Sequence, residues 1–167
     1  MKRGQHILFL TVIVQWTLLT RALSQTHWET AIYAEDTWHY FVGTTAPPAN
    51  WKNLDFDENN WSSGLGGFGY SDGDDNTNIP NTLAVFFRKS FQVDDLDEIL
   101  SAAVHSDYDD GFVAYLNGVE IARSFNMGTS GSVVSYDQTT DSDHEAVMYQ
   151  GGVPDVFILG YNDLDGL

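Results

Sequence analysis

The chain has 167 residues with 24 acidic and seven basic side chains, a formal charge of −17, 14% aromatic residues and no cysteine. Such a charge excludes binding a phosphate backbone by electrostatic attraction, and the lack of cysteine excludes a disulfide framework. The aromatic content argues against disorder, so stability must come from a core in a single domain, with or without a bound metal.

The N-terminus reads as an export signal. Lys2 and Arg3 precede an apolar run from Ile7 to Leu19, which at about 13 residues is too short to span a bilayer. Ala22-Leu23-Ser24 offers small residues for cleavage, so residues 1–24 are expected to be a signal peptide. The leader carries three of the seven basic residues (Lys2, Arg3, Arg21) and no acidic one; its removal leaves four against 24, a net of −20. No later run is long and apolar enough to span, so the mature chain is expected to be exported, secreted or cell-surface, without a membrane span and without nucleic acid as a partner.

Residues 25–37 form an N-terminal segment. Ala31-Ile32-Tyr33 and Trp38 to Val42 read as short strands, after which Pro47-Pro48 breaks the chain. Residues 49–82 are rich in Asn, Asp, Gly and Ser and are expected to be a series of turns, anchored by Trp51, Phe56, Trp61, Phe68 and Tyr70. Gly64-Leu65-Gly66-Gly67-Phe68-Gly69 matches G-x-G-x-x-G, but no helix pattern follows and carboxylates crowd the next residues. Nucleotide binding is therefore discounted, and the glycines are expected to let the backbone approach neighbouring strands.

Leu83 to Val93 reads as a strand, with Leu83, Val85 and Phe87 on one face. Asp94 to Ile99 reads as one helical turn capped by Asp94-Asp95, and Leu100 to His105 as another strand. The most informative stretch follows, HSDYDDGFVAYLNGVEIAR from His105 to Arg123. Asn117-Gly118 between apolar runs is a type I′ hairpin signal, because both central residues need positive φ. The turn sets an expected register: Leu116 opposite Val119, Tyr115 opposite Glu120, Ala114 opposite Ile121, Val113 opposite Ala122. Phe112, Ala114, Leu116, Val119 and Ile121 would then share a core face, with Val113, Tyr115, Glu120 and Ala122 on the mixed one. Val133 to Tyr136, Ala146 to Tyr149 and Val156 to Leu159 read as further short strands. Turn signals about every ten residues predict an all-β, antiparallel β-sandwich.

Two acidic clusters have the oxygen chemistry that calcium takes. Asp72-Gly73-Asp74-Asp75-Asn76 resembles the opening of a calcium loop, although Thr77 stands in place of the EF-hand glycine and Leu83 in place of its bidentate glutamate. Asp72, Asp74, Asn76 and Asp107 are the candidate Ca2+ ligands; the plain alternative is a solvated acidic turn. In the second cluster, Asp107-Tyr108-Asp109-Asp110, the carboxylates repel one another unless a cation or donors compensate, and Asp110 is also suited to closing a turn before Gly111. Asp109, Asp110, Tyr115 and Asn117 are the candidate ligand-binding residues at the hairpin rim. The histidines lack zinc-site spacing, and no G-x-S-x-G elbow or cysteine nucleophile exists, so no catalytic set is expected. Tryptophan and tyrosine are numerous enough for some to stack on sugar rings.

Three runs together carry a resemblance. They are FDENNWSSGLGGFGYSDGDDNT from Phe56, Val85 to Phe91 (VFFRKSF), and Asp109 to Glu120 (DDGFVAYLNGVE). From about Trp38 to the C-terminus the chain resembles a galactose-binding-like jelly-roll domain of large secreted bacterial proteins. Such domains occur beside spore-coat-H-type kinase, lamin-tail, metallophosphoesterase or glycoside hydrolase domains, and related sandwiches of family-2 glycosidases share the strand, Asn-Gly, strand arrangement. The resemblance implies a domain over residues 38–167 that is an accessory module for carbohydrate or cell-surface polymer. It also implies a closing strand where the sequence reaches Asp165-Gly166-Leu167, so this sandwich is expected to be incomplete. The alternatives are an N-terminal module of a larger exported enzyme, with downstream domains of the same protein as partners, and a structural spacer.

Overall fold

The computed structural model describes residues 26–71 and 73–164. The expected signal peptide, Asp72 and the Asp165-Gly166-Leu167 end lie outside these residues. The described chain is all-β: nine strands, two single 3-10 turns and one four-residue helix, α1 (Tyr161–Leu164). The strands are β1 (Thr37–Val42), β2 (Ser62–Leu65), β3 (Phe68–Gly69), β4 (Thr77–Asn78), β5 (Val85–Arg88), β6 (Ser101–Ser106), β7 (Val113–Leu116), β8 (Val119–Arg123) and β9 (Asp155–Gly160). They form four small sheets, ordered β2-β1-β5, β3-β4, β6-β9 and β7-β8, all antiparallel except β3-β4. Among the described residues no helix is long and apolar enough to cross a membrane.

Sheet β2-β1-β5 is covered on both faces because aromatic side chains alternate along its strands. In register, Tyr40 lies opposite Phe87 and Phe41 opposite Phe86. Phe68 of β3 covers one face, with ring centroids 5.3 Å from Tyr40 and 4.6 Å from Phe87. On the other face Phe41 meets Trp61 at 5.5 Å, and Phe86 meets Trp51 at 5.2 Å edge-on. Trp51 and Trp61 stack at 6.2 Å, and Phe56 closes the group against Trp61 at 5.5 Å. The aromatics of residues 49–61 are therefore anchors, as the sequence suggests.

The second packing centre lies between β6-β9 and the entry to β7. Ala102 pairs with Leu159 and Val104 with Phe157, which puts Leu159 (6% exposed) inside. Phe157 meets Phe112 edge-on at 5.2 Å, and Phe112 meets Tyr108 at 4.8 Å. The His144 ring stacks on Tyr108 at 4.1 Å, while Tyr108 donates its hydroxyl to Asp155 at 2.8 Å.

Several expected elements differ. Ala31-Ile32-Tyr33 is a bend, not a strand: the Asp36 carboxylate accepts the Tyr33 N–H while the Asp36 N–H returns to the Tyr33 carbonyl, which folds the backbone back. The strand expected over 83–93 is confined to Val85–Arg88, where β1 offers a partner. Val133 to Tyr136 has no strand pairing, and Ala146 to Tyr149 ends in a 3-10 turn over Met148–Gln150. Conversely, β2, β3 and β4 lie within the stretch read as turns. The turn over Leu96–Glu98 is capped as expected, by the Asp95 side chain accepting the Asp97 N–H.

Gly66 shows why the glycine run is there. It links β2 and β3 under the backbone of the N-terminal segment, and a Cβ at this position would lie 1.8 Å from the Ala34 carbonyl oxygen. That neighbour is backbone and cannot rotate away. Gly66→Ala is expected to lower the unfolding free energy by roughly 1–3 kcal/mol or more, read from denaturant melts; an unchanged midpoint would contradict this close approach.

Candidate functional site

The hairpin forms as expected at its tip and differs at its base. Asn117 and Gly118 have φ of 50° and 88°, as a type I′ turn requires. Leu116 lies opposite Val119 and Tyr115 opposite Glu120. Beyond that the expected register fails: Ala114 pairs with Ala122, Val113 pairs with Arg123, and Ile121 is left as the extra residue of a β-bulge. Ala122 accordingly lies on the Ala114 face, where it is buried, and not on the mixed face.

The bulge has an electrostatic result. Residues three apart on a regular strand point to opposite faces. With Ile121 bulged out, Glu120 opposes Tyr115 and Arg123 opposes Val113, so both side chains share one face. Arg123 then holds Glu120 in a two-point ion pair, with Nε donating to Oε1 at 2.9 Å and Nη2 to Oε2 at 2.7 Å. The side chains are almost fully buried, 4% and 11% exposed. Arg123 also donates to the Met127 carbonyl at 2.7 Å and the Ser132 carbonyl at 2.8 Å. Glu120 accepts from the Ser130 hydroxyl at 2.9 Å and the Gly131 N–H at 3.2 Å. These bonds tie the loop over 127–132 to β8. They hold the Glu120 carboxyl well below its ordinary value, down to about 2, with the Arg123 hydrogen bonds as the largest cause.

That loop delivers Val133 to Tyr136 to one side of an open surface cleft of about 370 Å3. The rest of the lining is Ala46, Pro47, Ala49, Trp51, Lys52 and Phe86. A second arginine fixes this part of the cleft. Arg88 of β5 donates to the carbonyls of Trp51 and of Asn53, the latter at 3.1 Å, pairs with Glu58 at 2.9 Å, and lies 5.1 Å from the Phe56 ring centroid. Tyr115 adjoins the Trp51 and Lys52 side of the cleft. It faces Trp51 edge-on at 5.9 Å, carries the Lys52 ammonium 4.1 Å over its ring, and lies opposite Glu120. Burial first and the Glu120 charge second push its phenol pKa upward, so it stays neutral.

The four candidate rim residues are not gathered in one place. Tyr115 and the Asn117-Gly118 turn lie on the cleft side, where the Lys52 carbonyl is 3.7 Å from a Cβ built at Gly118. Asp109 and Asp110 lie at the opposite end of β7. There Asp110 is held by its backbone: its N–H donates to the His144 carbonyl at 2.6 Å, and its carbonyl accepts from the buried Asn126 amide at 2.7 Å. Of the candidate calcium ligands, Asp107 accepts the N–H groups of Val147 (2.8 Å) and Met148 (3.0 Å). Asn76 donates to the Gly66 carbonyl at 2.7 Å, Asp74 is exposed, and Asp72 is outside the described residues. Among the described residues no three His, Cys, Asp or Glu side chains come together at metal-ligand spacing. The residues that sequence reasoning missed are Lys52, Phe86 and Tyr136. Phe86 and Tyr136 fall in runs of strand composition, and neither run signals a cleft.

Comparison of the chain with protein-family models, with curated proteins and with solved structures finds no match.

Two titrations follow from this geometry. Glu120 is depressed in the folded state, so its contribution is complete above about pH 4.5 and is lost as pH falls toward about 2. Glu120→Gln, which leaves a buried guanidinium without its counter-charge, is expected to cost about 3–5 kcal/mol at neutral pH and to flatten this acid limb; equal acid limbs in denaturant melts of both proteins would contradict it. Tyr108 is pushed up to about 12 by burial and then by Asp155. The folded state therefore keeps a proton that the unfolded chain releases above pH 10, and stability falls from there to about pH 12. In Tyr108→Phe that alkaline fall is expected to be reduced, as followed by circular dichroism.

Proposed function

We propose that the chain is an exported, non-catalytic β-sandwich module, of the galactose-binding-like jelly-roll type, that binds carbohydrate or cell-surface polymer in the cleft between Trp51 and Tyr136. One observation carries this reading: the cleft is walled by Trp51, Phe86 and Tyr136 together with Pro47. Aromatic faces complement the apolar C–H faces of sugar rings, and their polar edges and a few nearby donors fix orientation. Lys52 supplies a donor here, and the Ser135 hydroxyl, which donates to Asp137, keeps its acceptor capacity. The walls are held by buried arginine contacts, so little ordering cost would fall on binding. The all-β architecture and the hairpin agree with a sandwich module.

Tyr136→Ala is the variant of choice, because Tyr136 takes part in neither packing centre described above. It is expected to weaken binding to a glycan ligand by roughly ten-fold, measured by affinity electrophoresis across a polysaccharide panel or by calorimetry, with its melting curve unchanged. Unaltered affinity in a folded Tyr136→Ala protein would remove the cleft as the site.

A further inference from the structure

We propose that the glycan taken by this cleft is acidic, with a ring carboxylate or sulfate held against the Lys52 ammonium. The inference rests on the glycan reading above and adds the substrate class.

The argument is one of charge accounting. Four lysine and arginine side chains are present among the described residues. Arg88 is paired with Glu58 at 2.9 Å, Lys89 with Asp36 at 3.4 Å and Arg123 with Glu120 at 2.7 Å. Lys52 has no carboxylate partner among the described residues; its ammonium lies over the Tyr115 ring instead. A ring quadrupole orients a cation but carries no net charge to neutralise it. Tyr115 itself stays a neutral phenol, since burial and Glu120 both oppose its ionisation. Among the described residues, Lys52 is thus a cation at the cleft without a carboxylate against it.

The remainder of the lining sharpens the point. In a chain with 24 acidic residues, no Asp or Glu among the described residues lines this cleft. Asp137, next in sequence to the lining residue Tyr136, accepts the Ser135 hydroxyl. An ammonium held over the Tyr115 ring, on a residue that lines the cleft, favours an anion attached to a ring. The overall negative charge opposes long-range attraction of a polyanion, but at physiological salt it is screened beyond about 8 Å. Selection then depends on the contact itself, and so on Lys52.

The test compares acidic polysaccharides with their neutral counterparts: polygalacturonate against its carboxyl-reduced form, and a sulfated galactan against its desulfated form. The full chain, Lys52→Gln and Lys52→Arg are measured by affinity electrophoresis at physiological salt, with Tyr136→Ala as the marker for the cleft. The expected result is at least ten-fold tighter binding to one acidic polymer than to its neutral partner. Lys52→Gln abolishes that preference, Lys52→Arg retains it, and all three proteins melt alike. Tyr136-sensitive binding that is equal for charged and neutral polymers overturns the acidic class and leaves the glycan reading intact. A preference that survives Lys52→Gln overturns the role of Lys52. Binding to no polysaccharide, charged or neutral, overturns both readings.

Discussion

The buried pair between Glu120 and Arg123 is the interaction on which the cleft side of the molecule depends. It exists because Ile121 is bulged out of β8, which brings two residues three apart onto one face. Each charge has lost most of its water and is compensated by several hydrogen bonds, the condition under which a buried ion pair can persist. The spare capacity of both groups goes to the loop over 127–132, through Met127, Ser130, Gly131 and Ser132. One local departure from strand geometry thereby positions Val133 to Tyr136, which has no strand partner of its own.

The Trp51 side of the cleft is set in a similar way by Arg88. It joins a regular strand to an irregular segment by donating to main-chain carbonyls of the 50–61 stretch. Turns rich in Asn and Asp have many unsatisfied carbonyls, and an arginine fork can serve more than one of them. Trp51, whose carbonyl accepts from Arg88 and whose ring stacks with Trp61 and meets Phe86 and Tyr115 edge-on, belongs at once to the core and to the cleft. Removing Trp51 would thus confound folding with binding, whereas Tyr136 and Lys52 separate them.

What was legible in the sequence was local. Asn117-Gly118 announced its turn because the φ requirement belongs to those two residues. Trp38 to Val42, Leu100 to His105 and Val156 to Leu159 announced strands through β-rich apolar composition, and each has a partner. The bulge was not legible, because the ion pair it permits is tied to the later loop over 127–132. Strands β2 to β4 were hidden by Gly, Ser and Asn, which are poor strand formers and pair here through backbone proximity and aromatic cover. Val133 to Tyr136 carried strand composition without a partner strand. Of the candidate rim, Tyr115 and Asn117 lie beside the cleft, whereas Asp109 and Asp110 followed from a cluster of charge whose backbone, at Asp110, is committed to the His144 loop.

The most direct measurement is residue-resolved NMR of the isotope-labelled chain during titration with an acidic oligosaccharide, following the Trp51 indole N–H and the backbone amides. The account predicts saturable shifts at Trp51, Lys52 and Val133 to Tyr136, with Asp109 and Asp110 unmoved. Shifts centred on Asp109 and Asp110, with the cleft silent, would contradict it.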